Sequence, residues 1–209
     1  AGKHLKKCVL ELGGNNAFII LEDANLEKAV ASAVNARMQN AGQSCIAAKR
    51  FLVHESIHDA LISQFKAAVE KLKSGNPLNN DTQIGSLARV DLAKELEIQV
   101  KKSIVMGAQL ILGGNRNEAF FEPTILIQVT PVMPVFKEET FGPVAAITSF
   151  QTLDDAIKLS NQSDFGLGVS IFTQNIEFIK TKISAFNEGA VFINEMVKSD
   201  PRLPFGGIK

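Results

Sequence analysis

Cys45 closes the stretch Gln39-Asn40-Ala41-Gly42-Gln43-Ser44-Cys45, just past the end of a segment with one apolar helical face. Small polar neighbours leave its sulfur reachable, and Ile46-Ala47-Ala48-Lys49 behind it can start a new helical turn. At a helix N-terminus a thiolate is favoured by the dipole, and its pKa falls below the free value of about 8.5. That would make Cys45 a nucleophile for covalent catalysis. The ordinary use of a cysteine is as a small buried hydrophobe. Cys8, beside Val9 and Leu10 in an apolar run, is read that way.

Glu11 lies in Leu10-Glu11-Leu12-Gly13-Gly14, an acid inside an apolar run that ends on two glycines. A half-buried carboxylate has a raised pKa, which suits a general base; the alternative is a strand-edge glutamate facing solvent. Glu138, Glu139 and Phe141 fall in Lys137-Glu138-Glu139-Thr140-Phe141-Gly142-Pro143. Adjacent carboxylates can hold a ribose diol and a nearby aromatic can pack on a flat ring, though ordinary loops carry both features.

The elements that must position these groups alternate between strand and helix. Apolar runs predict strands over residues 9–12, 18–21, 50–53, 109–112, 121–129, 144–150, 169–172 and 190–193. A helix should start near Asp23 or Asn25, carry Leu26, Ala29, Val30, Ala33, Val34 and Met38 on one face, and stop at a left-handed Gly42. Ser56-x-x-Asp59 and Thr152-x-x-Asp155 resemble capping boxes opening further helices, the first closed by Gly75. Helices are also expected over 90–106 and 176–185, and loops over 76–88 and 131–142. Such alternation predicts a three-layer α/β/α domain with a mostly parallel sheet. The usual expectation is then a site at the carboxyl ends of the strands.

The 209 residues suit a single domain, here 1–209, with 45% apolar and 21% charged residues. Lys+Arg and Asp+Glu are both 22, so no one-sided field of the kind a nucleic-acid binder needs is built. No apolar run reaches the roughly 18 residues of a membrane helix. Two cysteines and three histidines (His4, His54 and His58) show no ligand-like spacing, so no metal is expected. The cysteine usage fits a reducing compartment, and a cytoplasmic location is expected. The chain starts at Ala1 without a methionine and stops at Gly206-Gly207-Ile208-Lys209, and is expected to be a piece of a longer protein.

Taken together the segments resemble the aldehyde dehydrogenase family. Glu11-Leu12-Gly13-Gly14 is similar to its glutamate motif, Gly42-Gln43-Ser44-Cys45 to its cysteine motif and Glu139-Thr140-Phe141-Gly142-Pro143 to its ribose-binding motif. Residues 165–173 and Pro204-Phe205-Gly206-Gly207-Ile208-Lys209 match two later blocks, so five ordered blocks span nearly the whole chain. The resemblance implies an NAD- or NADP-dependent oxidation of an aldehyde to its acid. In that chemistry Cys45 forms a thiohemiacetal and then a thioester, and Glu11 activates the hydrolytic water. Glu139, Phe141 and Gly13 would bind the cofactor, and Asn194 and Phe205 would shape the pocket. It further implies a separate upstream cofactor-binding domain, a later oligomerisation segment, a homo-oligomeric parent and an inactive fragment.

The stretches 42–51 and 191–201 are most similar to the succinate-semialdehyde dehydrogenase branch. A carboxylate-ended aldehyde needs a donor at the far end of its pocket, and Ser199 is the candidate within this chain; a broad-range aldehyde is the alternative. A different reading makes Cys45 the nucleophile of a hydrolase or acyltransferase, with His54 or His58 folding back as its base.

Overall fold

The computed structural model describes residues 1–209. Its centre is a seven-stranded sheet in the order β3-β6-β7-β2-β1-β8-β9. The strands are β1 (Asn16–Ile20), β2 (Ala48–His54), β3 (Gln109–Leu112), β6 (Thr124–Ile127), β7 (Val144–Phe150), β8 (Val169–Phe172) and β9 (Val191–Ile193). Only β3 runs antiparallel to its neighbour; every other pairing is parallel. Between β3 and β6 a small ribbon forms from β4 (Arg116–Asn117) and β5 (Phe120–Phe121).

The helices are α1 (Leu26–Met38), α2 (His58–Glu70), α3 (Val90–Val105), the single turn α4 (Pro134–Lys137), α5 (Leu153–Asn161) and α6 (Ile176–Lys180). They cover both faces of the sheet, as expected for apolar parallel strands. Strand periodicity sorts the β2 side chains: Lys49, Phe51 and Val53 point to one face, Arg50 and Leu52 to the other. Phe51 meets Phe65 of α2 on the first face, and the Arg50 guanidinium reaches α5 on the second. Phe18 stacks on Phe172 and tilts against Phe51, tying β8, β1 and β2 together at the centre of the core.

Local signals explain several boundaries. Asn25 caps α1 by accepting from the Lys28 N–H at 3.0 Å. Thr152 and Asp155 form a complete capping box at α5. Ser56 does not cap α2: residues Glu55–Ile57 form a 3-10 turn capped by His54, and Ile57 is the α2 N-cap. Nor does Gly75 close α2, which ends at Glu70. The loop expected over 131–142 contains α4, started by Pro134 at its first turn.

The largest departure is at the start of the chain. Residues 5–15 form no strand, and Val9, Leu10 and Leu12 are exposed. Glu11 is therefore not a half-buried strand acid but an exposed residue on an extended segment. Cys8 is exposed rather than buried. The apolar run misled because residues 9–12 pair with no strand, and the sheet begins only at Asn16.

Candidate active site

Four of the five motifs singled out above lead into a strand. Glu11 to Gly14 lead into β1, Gly42 to Cys45 into β2, Glu139 to Pro143 into β7, and Phe165 to Gly168 into β8. Because these strands are parallel, all four segments meet at the amino edge of the sheet. This corrects the expectation of a site at the carboxyl ends. The final segment returns to the same edge, where the Ile208 N–H donates to Gly166 O.

Cys45 sits in a turn, partly exposed and unpaired. The residues behind it do not start a helix; they enter β2 at Ala48. The helix next to Cys45 is α1, and it is the C-terminus of α1 that points here. Beyond Met38 the chain takes three consecutive left-handed residues, Asn40, Ala41 and Gly42. Gly42 is obligatory, because at φ +75° a Cβ would strike the Gly142 carbonyl. α1 thus ends at Met38, with Gly42 left-handed a turn later than a simple C-terminal stop would have it.

The Gly13-Gly14 segment threads between the Cys45 turn and the acidic loop. The Gly14 N–H donates to Glu139 Oε1 at 3.1 Å. A Cβ at Gly14 would collide with the Cys45 carbonyl, and one at Gly13 with the Glu139 carboxylate. Cys45, Gly13, Gly14 and Glu139 are therefore brought together. Glu11 lies three residues earlier on the wall of a 380 Å³ cleft shared with Gly13, Phe165, Gly207 and Lys209. Phe141 is half-exposed on the loop after Glu139.

Two fully buried cations underlie this edge, and sequence reasoning passed over both. Lys49 Nζ pairs with Glu139 Oε1 at 3.1 Å and donates to the carbonyls of Ser44 at 2.9 Å and Cys45 at 3.0 Å. Burial, with the Arg37 charge beside it, pushes the Lys49 pKa down to about 8, against the pull of Glu139. Arg37 of α1 donates to the Gly42 carbonyl, while its Nε and Nη1 find no acceptor. Its pKa is lowered by burial to about 9. A signal existed for Lys49, which with Arg50 makes two adjacent cations inside the mostly apolar strand Ala48–His54.

Other nominated residues fall elsewhere. Phe205 lines a small apolar pocket of about 30 Å³ with Leu167, Phe192, Val197 and Leu203. Ser199 is exposed on the loop beside it, between Lys198, paired with Glu195, and Asp200, paired with Arg202. The Asn194 amide donates to Thr173 O and accepts from Thr173 N, tying β9 to the end of β8. His54 ends β2, at the opposite edge from Cys45, and bonds Ser56 and Gln151. His58 pairs with Asp59 beyond it. A seven-residue strand spans roughly 20 Å, so neither imidazole serves Cys45. No cluster of three or more His, Cys, Asp or Glu side chains that could hold a metal ion is assembled, and no helix is long and apolar enough to cross a membrane.

The family model for the aldehyde dehydrogenase family matches residues 1–209. The chain belongs to the aldehyde dehydrogenase family. It is 47% identical over 212 residues to the NAD(P)+ succinate semialdehyde dehydrogenase Sad of Escherichia coli (strain K12), covering all of this chain and 46% of that relative. A probable NADP+ succinate-semialdehyde dehydrogenase of Synechocystis is 46% identical, with 47% of its length covered. Among solved structures, succinate-semialdehyde dehydrogenase from Burkholderia pseudomallei superposes with a TM-score of 0.96 at 38% identity, over all of this chain and 44% of that one. Lactaldehyde dehydrogenase from Escherichia coli superposes with a TM-score of 0.95 at 34% identity, again over 44% of its chain. The chain thus spans under half the length of the relatives it matches.

Proposed function

We propose that this chain is the catalytic unit of an NAD(P)-dependent aldehyde dehydrogenase that oxidises succinate semialdehyde to its acid. The observation that carries the reading is the Gly13-Gly14 segment, packed between the Cys45 carbonyl and the Glu139 carboxylate. It brings the nucleophile turn, the base-bearing segment and the acidic loop to one edge of the sheet. The succinate-semialdehyde assignment rests on the similarity to the dehydrogenases of that substrate in Escherichia coli and Synechocystis.

The residues at this edge fit a dinucleotide. Glu139 offers a carboxylate that is fixed through one oxygen, and its other oxygen faces the bare backbone of Gly13. A carboxylate and the half-exposed Phe141 ring match the needs of a ribose diol and a flat heterocycle. Cys45, as thiolate, attacks the aldehyde carbon to form a C–S bond, giving a thiohemiacetal. A nicotinamide dinucleotide bound there would supply the acceptor for the hydride whose loss turns this adduct into a thioester. Glu11 then takes a proton from water as the water oxygen attacks the thioester carbonyl. The C–S bond breaks, the acid leaves and Cys45 is regenerated.

At the far end of the substrate, Ser199 is the donor this chain offers to a carboxylate, since both cations nearest it are already paired. The test is kinetic, on the full-length enzyme, comparing succinate semialdehyde with butanal. A site built for the carboxylate should favour the former by about 10⁴-fold in kcat/KM. Equal values would retire this substrate in favour of a broad-range aldehyde, and turnover unaffected by Cys45→Ala would retire the mechanism.

A further inference from the structure

We infer that Lys49 is a positioning residue that joins the nucleophile turn, the cofactor-binding carboxylate and the Gly13-Gly14 segment into one unit and places a positive charge beneath Cys45. The inference rests on the assignment of Cys45 as nucleophile.

The turn from Ser44 to Ala47 has little support of its own. Within it, the Ala47 N–H reaches Ser44 O at 3.2 Å. Its carbonyls are instead taken by side chains from the strands beneath. Lys49 Nζ reaches Ser44 O, Cys45 O and, at 3.4 Å, Ala47 O, while Asn16 Nδ2 takes Ile46 O at 3.0 Å. An ammonium has three protons to donate. Here it serves four acceptors, because Glu139 Oε1 lies at 3.1 Å as well. That same oxygen accepts the Gly14 N–H. One chain of contacts, Cys45 O to Lys49 to Glu139 to Gly14 N, therefore links all three motifs.

Charge gives the second half of the case. The charged groups facing Lys49 are Arg37 from α1, Glu139 from the loop before β7, and Cys45 on its own turn. Two buried cations against one carboxylate leave a net positive charge under the turn. A charge on Cys45 in turn favours the ammonium form of Lys49, so the two groups support each other. An apolar residue would fill this buried strand position without the cost of desolvating an ammonium. Packing alone therefore gives no reason for a lysine.

The experiment uses the full-length enzyme with Lys49→Met and Glu139→Gln, alone and combined. Iodoacetamide labelling of Cys45 is followed from pH 5 to 10, beside KM for NAD(P) and the melting temperature. Lys49→Met is expected to slow labelling at pH 7 by roughly tenfold, because the cation beneath the turn is lost. It should also raise the pH midpoint and raise the cofactor KM. The melting temperature should fall, since Glu139 and the Ser44 and Cys45 carbonyls lose their donor; the labelling and KM changes are therefore read on the folded fraction at a temperature well below the transition. The KM effects of the two substitutions should not multiply, because both break one linkage. If Lys49→Met does not fold, Glu139→Gln reads the same unit from the other side. Glu139 helps to hold Lys49 as an ammonium, so its loss lets Lys49 shed its charge at lower pH, and labelling of Cys45 around neutral pH should slow. Wild-type labelling profiles in the variants that fold would overturn the inference, while loss of turnover in Cys45→Ala would still uphold the mechanism. Turnover surviving Cys45→Ala would instead sink the mechanism itself.

Discussion

At the residue scale the site divides its labour among groups with different surroundings. Cys45 stands in an exposed turn braced from below, whereas Glu11 stands on a segment outside the sheet. In the proposed mechanism their roles separate in time, so their substitutions should separate in kinetics. Cys45→Ala should abolish turnover. Glu11→Gln should leave thioester formation intact and slow its hydrolysis, so stopped-flow absorbance should show a burst of reduced cofactor followed by near-arrest. A linear trace at wild-type rate would remove Glu11 from the mechanism. Phe141 is independent of both: its ring is half-exposed and lies outside the Lys49 contacts. Phe141→Ala should therefore raise the cofactor KM and slow hydride transfer, while iodoacetamide labels Cys45 at the wild-type rate. A matching loss of thiol reactivity would instead place Phe141 among the supports of the turn.

At the element scale the turns are as constrained as the strands. Gly42 is left-handed and faces the Gly142 carbonyl. Gly42→Ala should cost roughly 1–2 kcal/mol for the backbone conformation alone, and more for the collision, seen as a lower melting temperature and slower Cys45 labelling. The capping box at α5 is a milder case; Thr152→Ala should cost about 1 kcal/mol. This box, the Asn25 cap and strands β3, β7 and β8 were legible in the sequence because each rests on a local signal. What was not legible depends on partners. The run at residues 9–12 has the composition of a strand but no neighbour to pair with. Ser56 sits in the right pattern for a cap, yet the 3-10 turn over Glu55–Ile57 intervenes. Cys45 reads as a helix N-terminus only if Ala48 and Lys49 are helical, and pairing with β1, which begins at Asn16 opposite Ala48, draws them into β2. The edge of the sheet was in fact visible, since four of the five motifs lead into a strand in the order of the chain. The role of Lys49 was not, because its acceptors come from both sides of it in the sequence, with Glu139 ninety residues away.

At the scale of the whole molecule, three fully buried cations, Arg37, Lys49 and Arg50, make stability depend on where protons sit. Arg50 is the most fully bonded: it donates to Asn15 O and to Leu159 O and Ser160 O at the end of α5, and lies over the Phe136 ring. Its one nearby counter-charge is Glu188, and that carboxylate is itself pushed up to about 7 by burial, against the pull of Arg50 and Lys209. A raised pKa means that the folded state holds this proton more tightly than the unfolded chain. The resulting stabilisation is fully present below the unfolded value of 4.5 and is lost as pH rises through about 7. After screening of a partly exposed group it is on the order of 2 kcal/mol. The carboxylates held low by paired cations, Glu97 beside Lys101 and Arg116 and Asp200 beside Arg202, act in the opposite sense but below pH 4.5, so they leave this window clear. Lys49, lowered to about 8, also has the opposite sense and begins to titrate only at the upper end. Urea unfolding between pH 4.5 and 7.5 should therefore show the wild type losing stability relative to Glu188→Gln, which carries no titrating group there. The gap should open steadily with pH and close again in acid. Parallel curves for the two proteins would mean that Glu188 ionises normally, and that Arg50 is satisfied by the carbonyls of Asn15, Leu159 and Ser160 alone.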